Sequence, residues 1–268
     1  MKSFEGKSAI VTGSSAGLGR SMAIKLAEGG ARVIINYASS ADAAQDVAEI
    51  CRGHGAEVKC VQADMGTDEG CAKLAAAAED WGQLDILINN AGTTKRVPNH
   101  ADLNGLSRDD FLWLYSINVA APFIMVQACE RLLRASYEAT GKAAAVLNTS
   151  SIAGVTGIGS SVAYAASKGA LNTLTLSLAR ALAPAIRVNA VCPGYIDTRW
   201  FSDHMPEEKY KALRASVEDR TPLKAASGPD DIADSALFLV SDASRHVTGE
   251  TLLVDAGTHL GFASLSMR

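Results

Sequence analysis

Short apolar runs of strand length alternate with longer Ala- and Leu-rich segments of helical period, and this alternation constrains the fold more than any single motif. The runs KSAIVT, ARVIINY and AEVKCVQAD are followed by helical patterns over 18–28, 41–52 and 68–81. LDILINNAG, AAAVLNTSS and AIRVNAVCPG are followed by patterns over 111–136, 162–183 and 230–241, and TLLVDAG closes the series. Nearly uninterrupted apolar runs suit strands buried on both faces, and helical crossovers between them suit parallel pairing. The pattern predicts an α/β fold: a doubly wound, seven-stranded parallel sheet with helices on both faces. No linker, repeat or composition shift divides residues 1–268, and 48% hydrophobic content supports one large core, so a single domain is expected.

Two irregular segments interrupt the alternation. TTKRVPNHADLNGLSRDD follows the fourth strand, and a long stretch over about 195–228 follows the sixth. In open α/β sheets ligands bind beyond the carboxyl ends of strands, where both segments begin, so they are candidate substrate walls, the second a lid.

Charge and cysteine usage narrow the partners. A formal net charge of -4 without a long basic run argues against nucleic acid or an anionic membrane surface, leaving small molecules. Five widely spaced cysteines without a CxxC pair suit reduced thiols in a cytoplasm, and no metal-ligand spacing appears. No stretch reads as a membrane span, for which ~18 to 20 apolar residues are needed.

Two motifs carry chemistry. The first strand runs into TGSSAGLGR, with Gly13, Gly17 and Gly19 before a helix. Glycines let the backbone turn tightly and approach a pyrophosphate, and a helix amino end offers free N–H groups and partial positive charge. The second motif is Tyr164 with Lys168, a phenol and an amine four residues apart. On a helix they share a face, although an ordinary amphipathic surface has the same spacing. NTSS, at the end of the preceding strand, brings hydroxyls to the same sheet edge.

Taken in order, the glycine turn, NNAG at 89–92, Asn118, Ser151, Tyr164, Lys168 and the Pro193-Gly194 pair resemble the short-chain dehydrogenase/reductase family in its single-domain form. The resemblance spans about residues 5 to 258 and looks most like the 3-oxoacyl-thioester (acyl-carrier-protein) reductase branch. It implies a Rossmann fold and an NAD(P)(H)-dependent oxidoreductase moving a hydride between nicotinamide and a carbonyl or secondary alcohol. The resemblance makes Tyr164 the general acid or base and Lys168 the group that tunes it and holds the nicotinamide ribose. Ser151, thirteen residues before Tyr164, becomes the donor to the substrate oxygen, with Ser150 as the alternative, and Asn118 bends a helix and holds a water that links Lys168 to solvent in proton resupply. Cofactor contacts are expected from Gly13, Ser15, Gly17, Leu18 and Gly19 in the turn, Asp64 and Met65 after strand three, and Asn90, Ala91 and Gly92 after strand four. Pro193, Gly194, Ile196 and Thr198 follow strand six.

Strand two ends in Asn36 and Tyr37, where an acidic residue would favour NAD(H). NADP(H) is therefore favoured over NAD(H), with Ser39 and Ser40 as phosphate donors; Ala16, where many NADP-using relatives carry Arg, points the other way. Substrate contacts are expected from Thr94, Ser151, Ile158, Tyr195, Trp200 and Phe201. His204 reads as a lid residue. A 3-oxoacyl thioester or other ketone is the first expectation; a sugar, polyol or steroid alcohol is the alternative, and a dinucleotide sensor without turnover is the reading from another class. The family implies a homotetramer or homodimer.

Overall fold

The computed structural model describes residues 3–97, 99–198 and 205–261. Its core is one seven-stranded parallel sheet, β1 (Ser8–Val11), β2 (Arg32–Tyr37), β3 (Val58–Gln62), β4 (Ile86–Asn89), β5 (Ala144–Thr149), β6 (Ile186–Pro193) and β7 (Thr251–Val254), in the order β3-β2-β1-β4-β5-β6-β7. The strand order reverses direction at β1, opening a crevice between the carboxyl ends of β1 and β4 where such sheets bind ligands.

Period-two alternation divides the apolar strand residues between two cores. Val11, Val33, Ile35, Ile88 and Leu147 face one side, packed by helices α1 (Gly17–Glu28) and α2 (Ala41–Gly53). Ile10, Ile34, Leu87 and Val146 face the other, packed by α3 (Asp68–Ala76). Full burial of each such side chain contributes about 1.5–3 kcal/mol, and the polar residues buried in the same strands, Ser8, Asn36, Asn89 and Asn148 among them, are each hydrogen-bonded.

The helical pattern expected over 111–136 is two helices, α4 (Arg108–Tyr115) and α5 (Ala121–Thr140), joined by a π-helical turn at Ser116–Ala120. Pro122 has no N–H to donate to the carbonyl four residues back, that of Asn118, so the regular ladder fails there. By length and composition the run Arg108–Thr140 is apolar enough to cross a bilayer, which the sequence reading did not anticipate. Met125, Val126, Cys129, Leu132 and Leu133 of this run are buried in the second core, about a third of its most apolar stretch, while Leu112, Trp113 and Phe123 are exposed.

A single turn, α6 (Ala153–Thr156), leads from β5 to α7 (Val162–Leu182). The stretch expected as an irregular lid contains a regular helix, α8 (Glu207–Arg220), none of whose residues is buried. Its charge pattern hides the helix from a search for apolar periodicity; Lys211 pairs with Glu207 and Arg214 with Glu218, each four residues apart. Helix α9 (Pro229–Val240) then packs Ile232, Ala233, Ala236 and Leu237 into the first core.

Candidate active site

The turn from β1 to α1 is built around backbone that a side chain would obstruct. Gly13 and Gly17 have φ of +61° and +55°, a left-handed conformation that suits glycine. A Cβ on Gly19 would lie 2.4 Å from the Gly13 carbonyl oxygen and 2.5 Å from Asn90 Nδ2, so helix and turn close together only without one. Thr12 Oγ1 accepts from the Asn90 and Ala91 N–H groups at 2.9 Å, and Asn90 Nδ2 donates to the Thr12 and Gly13 carbonyls at 3.1 Å. Helix α1 begins at this turn with Ala16 as its N-cap, no side-chain cap and no acidic residue in its first turn. Its leading N–H groups and positive dipole end suit an anion.

A second group of side chains assembles where β5 meets α7. Ser161 caps α7 by accepting from the Tyr164 N–H at 3.1 Å. One helical turn separates Tyr164 from Lys168, whose Nζ lies 5.8 Å from the phenol ring centroid and donates to the Thr149 carbonyl at 2.8 Å. Burial pushes the Tyr164 phenol above its ordinary pKa, and its hydrogen bond with Ser151 opposes the shift. Burial also pushes the Lys168 ammonium down, to about 8. Of the two adjacent serines, Ser150 is buried and donates to the Lys168 carbonyl at 3.2 Å, fastening β5 to α7. The Ser151 hydroxyl accepts from the Ala153 N–H at 3.1 Å and meets the Tyr164 phenol.

Asn118, fully buried in the π turn, stands behind this group. Its Oδ1 accepts from Thr93 N–H at 2.9 Å, and its Nδ2 donates to the Thr93 carbonyl and to Ser167 Oγ, both at 3.0 Å. Ser167 in turn donates to the Tyr164 carbonyl at 2.8 Å, so the β4 loop and α7 are joined through one amide.

Both groups line one cleft of about 920 Å³. All the expected cofactor contacts line it except Gly19, which is buried behind the turn. Asn36 reaches the wall, but its Oδ1 accepts from Gly13 N–H at 2.9 Å and its Nδ2 donates to the Ala63 carbonyl at 3.0 Å, so its amide holds the turn together. Of the expected substrate contacts, Ser151, Ile158 and Tyr195 line the cleft. Thr94 does not; its hydroxyl is bonded to Ser160 Oγ, and Thr93 and Arg96 of the same loop are the lining residues. Trp200, Phe201 and His204 lie outside the described residues. Arg96, Ser160 and Ile117 line the cleft without having stood out in the sequence. Tyr195 is a second phenol here, pushed up to about 12 by burial and by the Asp197 carboxylate, with Arg214 opposing. Its nearby carboxylate, against the ammonium beside Tyr164, separates the two phenols chemically.

An anion cradle of glycines and a hydroxyl, phenol and ammonium group along one cleft describe a dinucleotide-dependent oxidoreductase. Comparison with known proteins agrees. The family described as enoyl-(acyl carrier protein) reductase matches residues 13–259. The 3-oxoacyl-[acyl-carrier-protein] reductase FabG of Staphylococcus aureus is 34% identical over 257 residues, 95% of this chain and 98% of that protein. The L-rhamnose 1-dehydrogenase (NAD(P)(+)) of Azotobacter vinelandii is 37% identical over 257 residues, 94% of this chain and 96% of that protein. Among solved structures, a 7α-hydroxysteroid dehydrogenase complexed with NADH and 7-oxo glycochenodeoxycholic acid is similar with a TM-score of 0.84 at 31% identity, covering 96% of this chain and 95% of that one. The chain belongs to the short-chain dehydrogenase/reductase family, enzymes that move a hydride between a nicotinamide and a carbonyl or secondary alcohol.

Proposed function

We propose that the protein is an NADP(H)-dependent ketone reductase in which Tyr164 is the proton donor, acting on a 3-oxoacyl thioester or a related ketone. The observation that carries the reading is the convergence of Ser151, Tyr164 and Lys168 on the cleft that the glycine turn also lines. The residues fit a dinucleotide. The uncapped amino end of α1 suits the pyrophosphate, and the cleft is open beside Gly17, where a Cβ would meet only Thr198 Cγ2 at 3.8 Å, which suits close approach of a ligand to the backbone.

When bound, the nicotinamide supplies the hydride that reduces the carbonyl carbon. Tyr164 gives its phenolic proton to the carbonyl oxygen as the C=O double bond becomes single, and Ser151 donates a hydrogen bond to that oxygen. The Lys168 ammonium stabilises the phenolate left behind, and the proton is replaced from solvent by way of Lys168, with Asn118 fixing the backbone behind it. Because burial raises the Tyr164 pKa, the phenol holds its proton at neutral pH, the state that reduction requires.

The cofactor preference rests on the end of β2. β2 itself ends in Asn36 and Tyr37 without a carboxylate to repel a 2′-phosphate, the next acidic residue being Asp42 in the first turn of α2; Ser39 and Ser40 are exposed, and the Ser40 hydroxyl is not used to cap α2. Five free cysteines suit a reducing cytoplasm. Leu112, Trp113, Phe123 and Leu176 are exposed on α4, α5 and α7, the apolar faces through which we expect a homotetramer or homodimer to form.

The test is the rate of NADPH and NADH oxidation with acetoacetyl thioesters, diketones, ketosugars and a ketosteroid, for wild type beside Tyr164→Phe. Ketone-dependent NADPH oxidation that falls by roughly 10²- to 10⁴-fold in the variant, with NADPH binding retained, is the expected result. Equal rates in the two proteins would refute the role of Tyr164, and faster turnover with NADH would refute the cofactor preference.

A further inference from the structure

We propose that Asp197 and Arg214 are positioning residues whose ion pair latches helix α8 against the cleft wall and so sets how firmly the substrate end of the cleft is held. That α8 retains a substrate rests on the oxidoreductase reading above; the latch does not.

Helix α8 is attached unlike its neighbours. None of its residues is buried, whereas α5, α7 and α9 each seat a row of buried side chains. Of the ion pairs that α8 makes among the described residues, Lys211 with Glu207 and Arg214 with Glu218 are internal, and Asp219 reaches Lys224 just beyond the helix. Arg214 with Asp197 is the pair that crosses to the body of the protein. Arg214 Nε stands 3.1 Å from the Asp197 carboxylate and Nη2 of the same guanidinium 3.3 Å from Glu218, so the planar fork takes one carboxylate from the body and one from the helix. The carboxyl end of α8 is anchored separately. Thr221, which is buried, exchanges two hydrogen bonds with Ala225, and Leu223 N–H donates to the Ala256 carbonyl beyond β7 at 3.2 Å. Arg214 lies about 9 Å along the axis from that end, so α8 has an anchored end and a charged tie further along it.

The body half of the pair belongs to the cleft wall. Of the segment after β6, Gly194, Tyr195, Ile196 and Thr198 line the cleft, while the Asp197 carboxylate meets Arg214 and its N–H donates to the Ser227 carbonyl at 2.8 Å. The Tyr195 phenol, pushed up to about 12 by burial and then by Asp197, also feels Arg214 and Glu218, so it stands where wall and helix meet. A shift of α8 is therefore felt at a side chain that faces the ligand. A partly exposed ion pair is worth only about two- to fivefold in an equilibrium. For a helix with no buried residue, that factor is enough to set how often it leaves the wall.

The test is hydrogen exchange by mass spectrometry on the full-length chain, with and without saturating NADP+, beside KM and kcat for the ketone that wild type reduces fastest. Wild type, Asp197→Asn, Arg214→Gln, Arg214→Lys and the double variant Asp197→Asn/Arg214→Gln are compared. Asp197→Asn is expected to speed exchange of the amides over 207–220 by about two- to fivefold when Arg214 is present and to have no effect in the Arg214→Gln background. The ketone KM is expected to rise by the same factor, with kcat within about twofold of wild type, again only where Arg214 is kept. Asp197→Asn leaves Arg214 its bond to Glu218, so faster exchange in that variant does not come from a weakened helix. Arg214→Lys, which keeps the charge, is expected to exchange more slowly than Arg214→Gln. Unchanged exchange in Asp197→Asn, the same acceleration in both backgrounds, or faster exchange at an unchanged KM overturns the proposal. Latch-dependent exchange in a protein that reduces no ketone leaves the latch standing and tells instead against the ketone-reductase reading.

Discussion

Lys168 is expected to cost the fold stability in exchange for catalysis, and the cost has a pH signature. Its Nζ is buried, and burial brings its pKa from 10.5 to about 8. The folded-state pKa of this base lies below the unfolded one, so between the two values the unfolded chain binds more protons and stability rises with pH. Worked through, burying this amine costs about 3 kcal/mol at pH 7, where it keeps its proton, and only about 1 kcal/mol at pH 9.5, where it is neutral. Lys168→Met keeps the length of the side chain, removes the charge and leaves the Thr149 carbonyl without its 2.8 Å donor, a loss of about 1 kcal/mol. The variant is expected to be more stable than wild type by about 2 kcal/mol at pH 7, or about 4–8 °C in Tm for a chain of this size, and nearly level with it at pH 9.5. Thermal unfolding of both proteins at several pH values, at one protein concentration and without cofactor, reads this directly. Carbonyl reduction by the variant is expected to collapse at every pH. A variant less stable than wild type at pH 7, or a stability difference constant across pH, would refute the reasoning.

Three further substitutions probe the scaffold around the cleft. Gly19→Ala places a Cβ against the Gly13 carbonyl and Asn90 Nδ2, so we expect about 1–3 kcal/mol of destabilisation by denaturant titration, together with weaker NADPH binding. Tyr37→Asp puts a carboxylate at the half-buried carboxyl end of β2, and the ratio of kcat/KM for NADPH over NADH is expected to fall by about tenfold or more, read from initial rates with each cofactor. Asn118→Ala removes partners from both backbone groups of Thr93 and from Ser167, for an expected cost of about 2–5 kcal/mol in unfolding free energy and a fall in kcat from the loosened segment between Thr93 and Arg96.

What the sequence makes legible here is whatever repeats or is fixed in spacing. The strand runs are legible because residues buried on both faces must be apolar in succession, and Val11, Ile34 and Leu87 satisfy that locally. Tyr164 and Lys168 are legible as a pair because helix geometry alone brings them to one face. The helix α8 was not legible, since it buries none of its residues and so carries no apolar period. The division of the 111–136 pattern was legible only as a bend at Asn118; that the bend is a full π turn, with a missing N–H at Pro122 beside it, is seen only in the fold.

The harder distinction is between residues that reach a cleft and residues that build it, and it depends on where hydrogen bonds go. Asn36 and Thr94 look like ligands from their positions at strand ends. In the fold, Asn36 spends its amide on Gly13 and Ala63, and Thr94 spends its hydroxyl on Ser160. Lys95 looks like a wall residue in the same loop, but it turns to Asp110, fifteen residues on and held by the Ser107 cap of α4, while its neighbour Arg96 lines the cleft. A polar residue at a strand end is thus a statement about location. Whether it serves the ligand or the scaffold is decided by partners that come from other segments of the chain, Ala63, Ser160 and Asp110 here, and only the fold brings those within reach.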